Sequence, residues 1–143
     1  MKQCLGPLVL FSLSIFQGTT AQTLKYDFDQ YTQLEGLSHN QIFAISQDTR
    51  GFIWLGTEDG LNRFDGYSFN VYKHHTSDSN SITSNEVRTL YSDSDGSVWI
   101  GTNKGVCRYI LETESFERFE INYSDSTKLH GNYVTSITRN RDG

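Results

Sequence analysis

Residues 40–64 and 85–109 are the same passage written twice, and nothing else in the chain restricts its fold as much. Setting Asn40-Gln41-Ile42 on Asn85-Glu86-Val87 at an offset of 45 places Gly51 on Gly96, Trp54 on Trp99, Gly56 on Gly101 and Gly60 on Gly105. A third copy opens at Asn132-Tyr133-Val134 and runs to Asp142-Gly143, which match Asp95-Gly96 at an offset of 47. Repeats of about 40 to 45 residues with four short strands each are the mark of a β-propeller, in which every sheet is covered by its neighbours. The fold class expected is all-β, built as four-stranded antiparallel blades of an incomplete β-propeller. About two and a half repeats occupy 36–143, divided as 36–81, 82–128 and a partial 129–143, after a lead-in strand at 22–35.

In the second copy the apolar positions predict strands at Val87 to Tyr91, Val98 to Thr102, Val106 to Leu111 and Phe116 to Ile121. Polar, glycine-ended segments separate the first three: Asp48-Thr49-Arg50-Gly51 and Ser92-Asp93-Ser94-Asp95-Gly96, then Glu58-Asp59-Gly60 and Asn103-Lys104-Gly105. Each reads as a hairpin turn, so the unit is a four-stranded meander. Alternation along the second strand puts Val98 and Ile100 on one face and Trp99 on the other, with Ile53, Leu55 and Trp54 as their counterparts. A sheet apolar on both faces must be covered on both. Trp54 and Trp99 are therefore expected between blades, and Gly56 and Gly101 where a neighbouring backbone comes close.

The first 21 residues have the form of an export signal: Lys2, an apolar run from Leu8 to Phe16, and the small-residue site Thr19-Thr20-Ala21. That run is about half of the roughly 20 residues needed to span a bilayer. Cys4 precedes the run, the wrong side for a lipid attachment site. Cleavage after Ala21 would leave Cys107 as the one cysteine, so no intrachain disulfide is possible and a buried thiol is expected. With a net charge of −5 and no cluster of Lys or Arg, the chain lacks the footprint of a nucleic-acid binder.

The passages Ile53-Trp54-Leu55-Gly56-Thr57-Glu58-Asp59-Gly60-Leu61-Asn62-Arg63-Phe64 and Val98-Trp99-Ile100-Gly101-Thr102-Asn103-Lys104-Gly105-Val106-Cys107-Arg108-Tyr109 resemble the repeat of the two-component regulator propeller family. The preceding strands, Asn40 to Ile45 and Asn85 to Leu90, resemble the strand that opens that repeat. Gly36-Leu37-Ser38-His39-Asn40 is similar to the start of the sensor region in hybrid two-component proteins of Bacteroidetes. The resemblance implies a periplasmic, ligand-sensing segment of a histidine kinase anchored in the inner membrane. It also implies an oligosaccharide or other small molecule as ligand, self-association of the whole sensor, and no catalysis in this segment.

Ligands of propellers usually meet the loops at one end of the ring, so the candidate binding residues are His39, Asn40, Asn85, Glu86 and Asn132. The competing reading is that the recurrent Asn bonds backbone where a turn enters a strand. His74 and His75 point to opposite sides of an extended chain and complete no metal shell. Asp93-Ser94-Asp95-Gly96 lacks the remaining ligands of a calcium loop and reads better as a turn. Neither a phosphate-binding glycine loop nor a nucleophile elbow occurs, and no cofactor is expected. The alternative from another class is an exported propeller enzyme of lyase or glycoside hydrolase type.

Overall fold

A computed structural model describes residues 26–119 and 133–140. The export signal expected at 1–21, and the ligand candidate Asn132, lie outside the described residues. Eight strands form in chain order: β1 Ile42–Gln47, β2 Ile53–Thr57, β3 Gly60–Phe64, β4 Phe69–Tyr72, β5 Val87–Ser92, β6 Val98–Thr102, β7 Gly105–Ile110 and β8 Ser115–Phe119. They make two antiparallel sheets, ordered β1-β2-β3-β4 and β5-β6-β7-β8. Each sheet is a meander, as the hairpin turns predict.

The register is the same in both copies. Trp54 faces Arg63 and Trp99 faces Arg108 across the second hairpin, while Thr57 meets Gly60 and Thr102 meets Gly105 at its turn. In the first turns, Gly51 and Gly96 have φ of 92° and 88°, the left-handed region that a side chain disfavours. Asp48 closes its turn by accepting the amides of Arg50 at 2.9 Å and Phe52 at 3.1 Å. Asp95 does comparable work for Ser97, accepting its amide at 2.8 Å and its hydroxyl at 2.6 Å. Both leading strands carry the same irregularity: register slips between Ile42 and Ala44 and between Val87 and Thr89, leaving Phe43 and Arg88 as the extra residues of β-bulges.

One face of each sheet meets the other sheet. Trp54 is fully buried, its ring 4.8 Å from Tyr109 of the second sheet and 5.8 Å from Tyr72 of its own. Opposite lie Val98, Ile100, Val87 and Ile82, all without solvent exposure. Gly56 sits against this interface: a Cβ there would come within 2.6 Å of a Val87 methyl and 3.0 Å of the Val87 carbonyl oxygen. Polar links run alongside, with Ser46 Oγ 2.7 Å from Ser92 Oγ and Arg63 Nη1 donating to the Tyr109 hydroxyl at 2.9 Å. Cys107 is buried in the same core, and burial pushes its thiol pKa up.

The lead-in departs from expectation. Among its described residues, 26–35, no strand forms; the segment ends in a 3-10 turn at Gln33–Glu35. The Thr32 hydroxyl accepts the Leu34 amide at 3.1 Å while Glu35 accepts the Thr32 amide at 2.6 Å, and Gly36 ends the turn with φ of 104°. Those local bonds satisfy the backbone of the segment's end without strand pairing. Tyr31 then packs edge-on against Phe64 at 4.9 Å and Phe69 at 5.9 Å. Tyr72 treats the equivalent Tyr109 and Phe116 in the same way, at 6.2 and 5.1 Å, so the lead-in takes the place of a preceding blade.

Residues 133–140 also form no strand, although they lie where the third copy begins. In the first two copies the leading strand pairs with the second strand of its own copy. The segment is nevertheless docked: Val134 donates its amide to the Thr102 carbonyl at 3.0 Å, and a Cβ on Gly101 would meet its side chain at 2.7 Å.

Candidate functional site

In a meander, the chain entering the first strand and the turn joining the second and third strands lie at the same end. His39 and Asn40, before β1, and Asn85 and Glu86, before β5, therefore gather with the turns around Glu58-Asp59 and Asn103-Lys104. The four described candidates do different work there.

Asn40 accepts the Gln33 amide on Oδ1 at 3.0 Å, fixing the lead-in turn. His39 Nδ1 accepts the Gln41 amide at 3.1 Å, with a Glu58 carboxylate oxygen 3.8 Å away, too far for a hydrogen bond. Asn85 ties the two blades together. Its Oδ1 accepts the His74 amide at 2.7 Å, its Nδ2 donates to Asp59 at 3.1 Å, and its carbonyl accepts the Gly60 amide at 2.7 Å. Asp59 also receives Lys73 Nζ at 2.5 Å. These bonds go to neighbouring loops rather than to the asparagine's own backbone.

Glu86 has a different role: it holds an arginine. Its Oε1 accepts from Arg88 Nε at 2.6 Å and from Arg88 Nη2, and its Oε2 accepts Asn103 Nδ2 at 2.5 Å. The bulge turns the Arg88 guanidinium over the Phe43 ring at 3.9 Å and brings it within 5.3 Å of the Tyr133 ring. Phe43 and Arg88 did not stand out in the sequence because a bulge breaks the alternation by which strand faces are read. The signal present is the failure of alternation at one repeat position: Ile42-Phe43-Ala44-Ile45 is apolar throughout, and in Val87-Arg88-Thr89-Leu90 two polar residues stand side by side.

Two further constellations also escaped sequence reading. Ser38 and Asn62 exchange hydrogen bonds at 2.8 Å each, and Ser38 Oγ lies 2.9 Å from Thr57 Oγ1. Thr83, Thr102 and Cys107 hold the matching places in the second blade, with the threonine hydroxyls 3.0 Å apart. Arg118, from β8, clasps the loop between the blades by donating to the carbonyls of Ser81 at 2.7 Å and Asp78 at 2.8 Å. His74 spends its Nδ1 beside the Ile82 carbonyl, 2.8 Å away. Among the described residues, no three His, Cys, Asp or Glu side chains are placed to share a metal ion.

Two bulged meanders packed face to face through Trp54 define a pair of propeller blades. The sequence model of the two component regulator propeller matches residues 36–59 and 81–104, one stretch in each repeat. Over 76 residues, 53% of this chain, the sequence is 40% identical to Histidine kinase P4 of Formosa agariphila. Among solved structures, the extracellular domain assigned to the hybrid two component system BT3049 of B. thetaiotaomicron superposes on 80% of the chain at 38% identity, with a TM-score of 0.70. The corresponding domain of BT4673 from the same organism covers 64% at 28% identity and a TM-score of 0.50. The chain spans only 6% of the kinase and 16% and 13% of the two domains.

Proposed function

We propose that these blades belong to the ligand-sensing, extracytoplasmic part of a hybrid two-component sensor histidine kinase. Residues 1–21 direct export to the periplasm, and the blades contribute signal input while phosphoryl transfer belongs to another part of the protein. The ligand is an oligosaccharide, met at the end of the blades where His39, Asn85, Glu86 and Arg88 gather, and the intact sensor self-associates. What supports the reading most is the likeness, in both sequence and three-dimensional arrangement, to the extracellular domain of a hybrid two component system. Cross-blade bonding supports it too: Asn85, before the second blade, bonds Asp59 of the first, which Lys73 of that same blade also holds, so a ligand at this end would alter how the blades sit against each other.

The test uses the intact protein in membranes, supplied with ATP and a panel of oligosaccharides. Autophosphorylation that changes with at least one oligosaccharide, and not with its constituent monosaccharides, is the expected result. A protein that neither binds any member of the panel nor carries phosphoryl-transfer activity would overturn the reading.

A further inference from the structure

We infer that the row formed by Phe43, Arg88 and Tyr133, backed by Glu86 and Asn103, is a ligand-contact site whose occupant is an uncharged, hydroxyl-rich ring, the chemistry of a neutral sugar unit. This rests on the sensing reading above and adds to it a place and a chemical class.

The place follows from the bulges. β1 and β5 are each the first strand of their sheet, so each has a free edge, and the contact between Ser46 and Ser92 shows that the two strands run side by side. The extra residue of a bulge leaves the pairing ladder and re-aims its side chain. Here both copies carry the bulge at the same repeat position, and it sets one aromatic ring and one guanidinium in contact at the free edges. Arg88 covers one face of the half-buried Phe43 ring, while Tyr133 is 49% exposed, so apolar ring surface remains open beside polar groups.

The chemical class follows from charge. Arg88 meets Glu86 through a single carboxylate oxygen, which neutralises the pair while leaving some of the guanidinium's five N–H donors for another acceptor. An anionic ligand reaching those donors would come close to the Glu86 carboxylate, and like charges at short range in a partly desolvated site are repelled. Neutral hydroxyls meet no such opposition. They can accept from Arg88 and donate to Glu86, while the apolar face of the ring lies on Phe43 or Tyr133, the usual division of labour in a small-molecule site.

The intact protein is screened against immobilised neutral, uronate-containing and sulfated oligosaccharides, and the strongest neutral binder is then titrated by calorimetry. Phe43→Leu keeps the apolar volume but removes the flat face, and Arg88→Gln removes the charge while keeping donors. Each should weaken binding by about 10-fold or more, as truncation at a binding hot spot does, without shifting the melting temperature comparably. Hydrogen exchange on the unsubstituted protein gives a readout independent of any variant: the same oligosaccharide should slow amides in 41–45 and 86–90. Neutral binding unchanged in both variants, with no added protection there, would put the site elsewhere and leave sensing intact. Binding confined to uronate or sulfated members and weakened by Arg88→Gln would overturn the ligand class. No binding to any oligosaccharide would defeat the sensing reading itself, and this inference with it.

Discussion

Trp54 and Trp99 occupy the same place in successive repeats, yet the first is fully buried and the second only half-buried. The faces of their strands are exchanged in the same sense. In β2 the tryptophan face is buried while Ile53 and Leu55 are half-buried; in β6 Val98 and Ile100 are buried and the tryptophan face is open. Burial in a repeat is thus conferred by the neighbour and not by the unit. Trp54 has Tyr109 of the next blade against it, whereas Trp99 has Phe119 of its own sheet, 5.2 Å away, and the Arg108 guanidinium at 5.5 Å. On that side a cavity of about 380 Å³ opens among Tyr91, Trp99, Ile137 and Arg139.

The difference can be broken most directly at the tryptophans themselves. Trp54→Ala should cost about 3 to 5 kcal/mol, the loss expected for a large buried aromatic, and Trp99→Ala about 1 kcal/mol in the chain of 143 residues. Thermal melts of both variants measure the gap. Extending the chain through a complete third blade should raise the cost at Trp99 towards that at Trp54. Equal costs without the extension would mean that each blade buries its own tryptophan, and the comparison would fall.

Glycines sharpen the comparison at a smaller scale. Gly56→Ala drives a Cβ against the fully buried Val87, including its carbonyl oxygen, and overpacking of this kind costs about 1 to 3 kcal/mol. At Gly101 the obstacles are methyls of Thr89 and Val134, the latter on a segment with no strand pairing of its own, which can yield. Chemical denaturation should show Gly101→Ala as the milder change. A smaller loss is expected for Asp48→Asn, since the carboxylate accepts the Trp54 indole at 2.9 Å as well as two turn amides; losing the charge-assisted part is worth about 1 kcal/mol. Asp93, its counterpart, bonds Arg139 at 2.7 Å, so Asp93→Asn should chiefly loosen residues 133–140. Faster hydrogen exchange in that segment is the observable.

The sequence carried the fold further than it carried the site, for a physical reason. Strand period and turn chemistry are local: β5, β6 and the Asp48–Gly51 turn follow from alternation and glycine placement within a few residues. Trp54 and Gly56 were legible as contact positions because an aromatic on an otherwise apolar sheet, and a glycine inside a strand, each demand a neighbour. Site geometry depends on pairings that no local pattern records. Asn85 reaches Asp59, 26 residues earlier in the chain, and Arg88 reaches Phe43 only because two bulges bring their edges together. The lead-in was misread for the opposite reason: its residues suit a strand, but Thr32 and Glu35 satisfy each other locally and leave 26–35 unpaired.

The smallest effect concerns the one titratable group that distinguishes the two faces. Tyr72 ends β4 and stacks on Trp54, whereas the matching position at the end of β8 is Phe119, stacked on Trp99. Burial raises the Tyr72 pKa from 10.0 to about 12, only partly countered by the nearby Arg63 guanidinium. A folded pKa above the unfolded one means that the proton is held more tightly in the folded state. The contribution is therefore whole below pH 10 and declines as the unfolded chain ionises, until it is lost on passing about pH 12. Melting temperature should fall across that window, with phenolate absorbance rising late. Tyr72→Phe gives the first interface the residue that the second already has and should flatten that part of the decline; an unchanged profile in the variant would show that Tyr72 ionises as freely folded as unfolded.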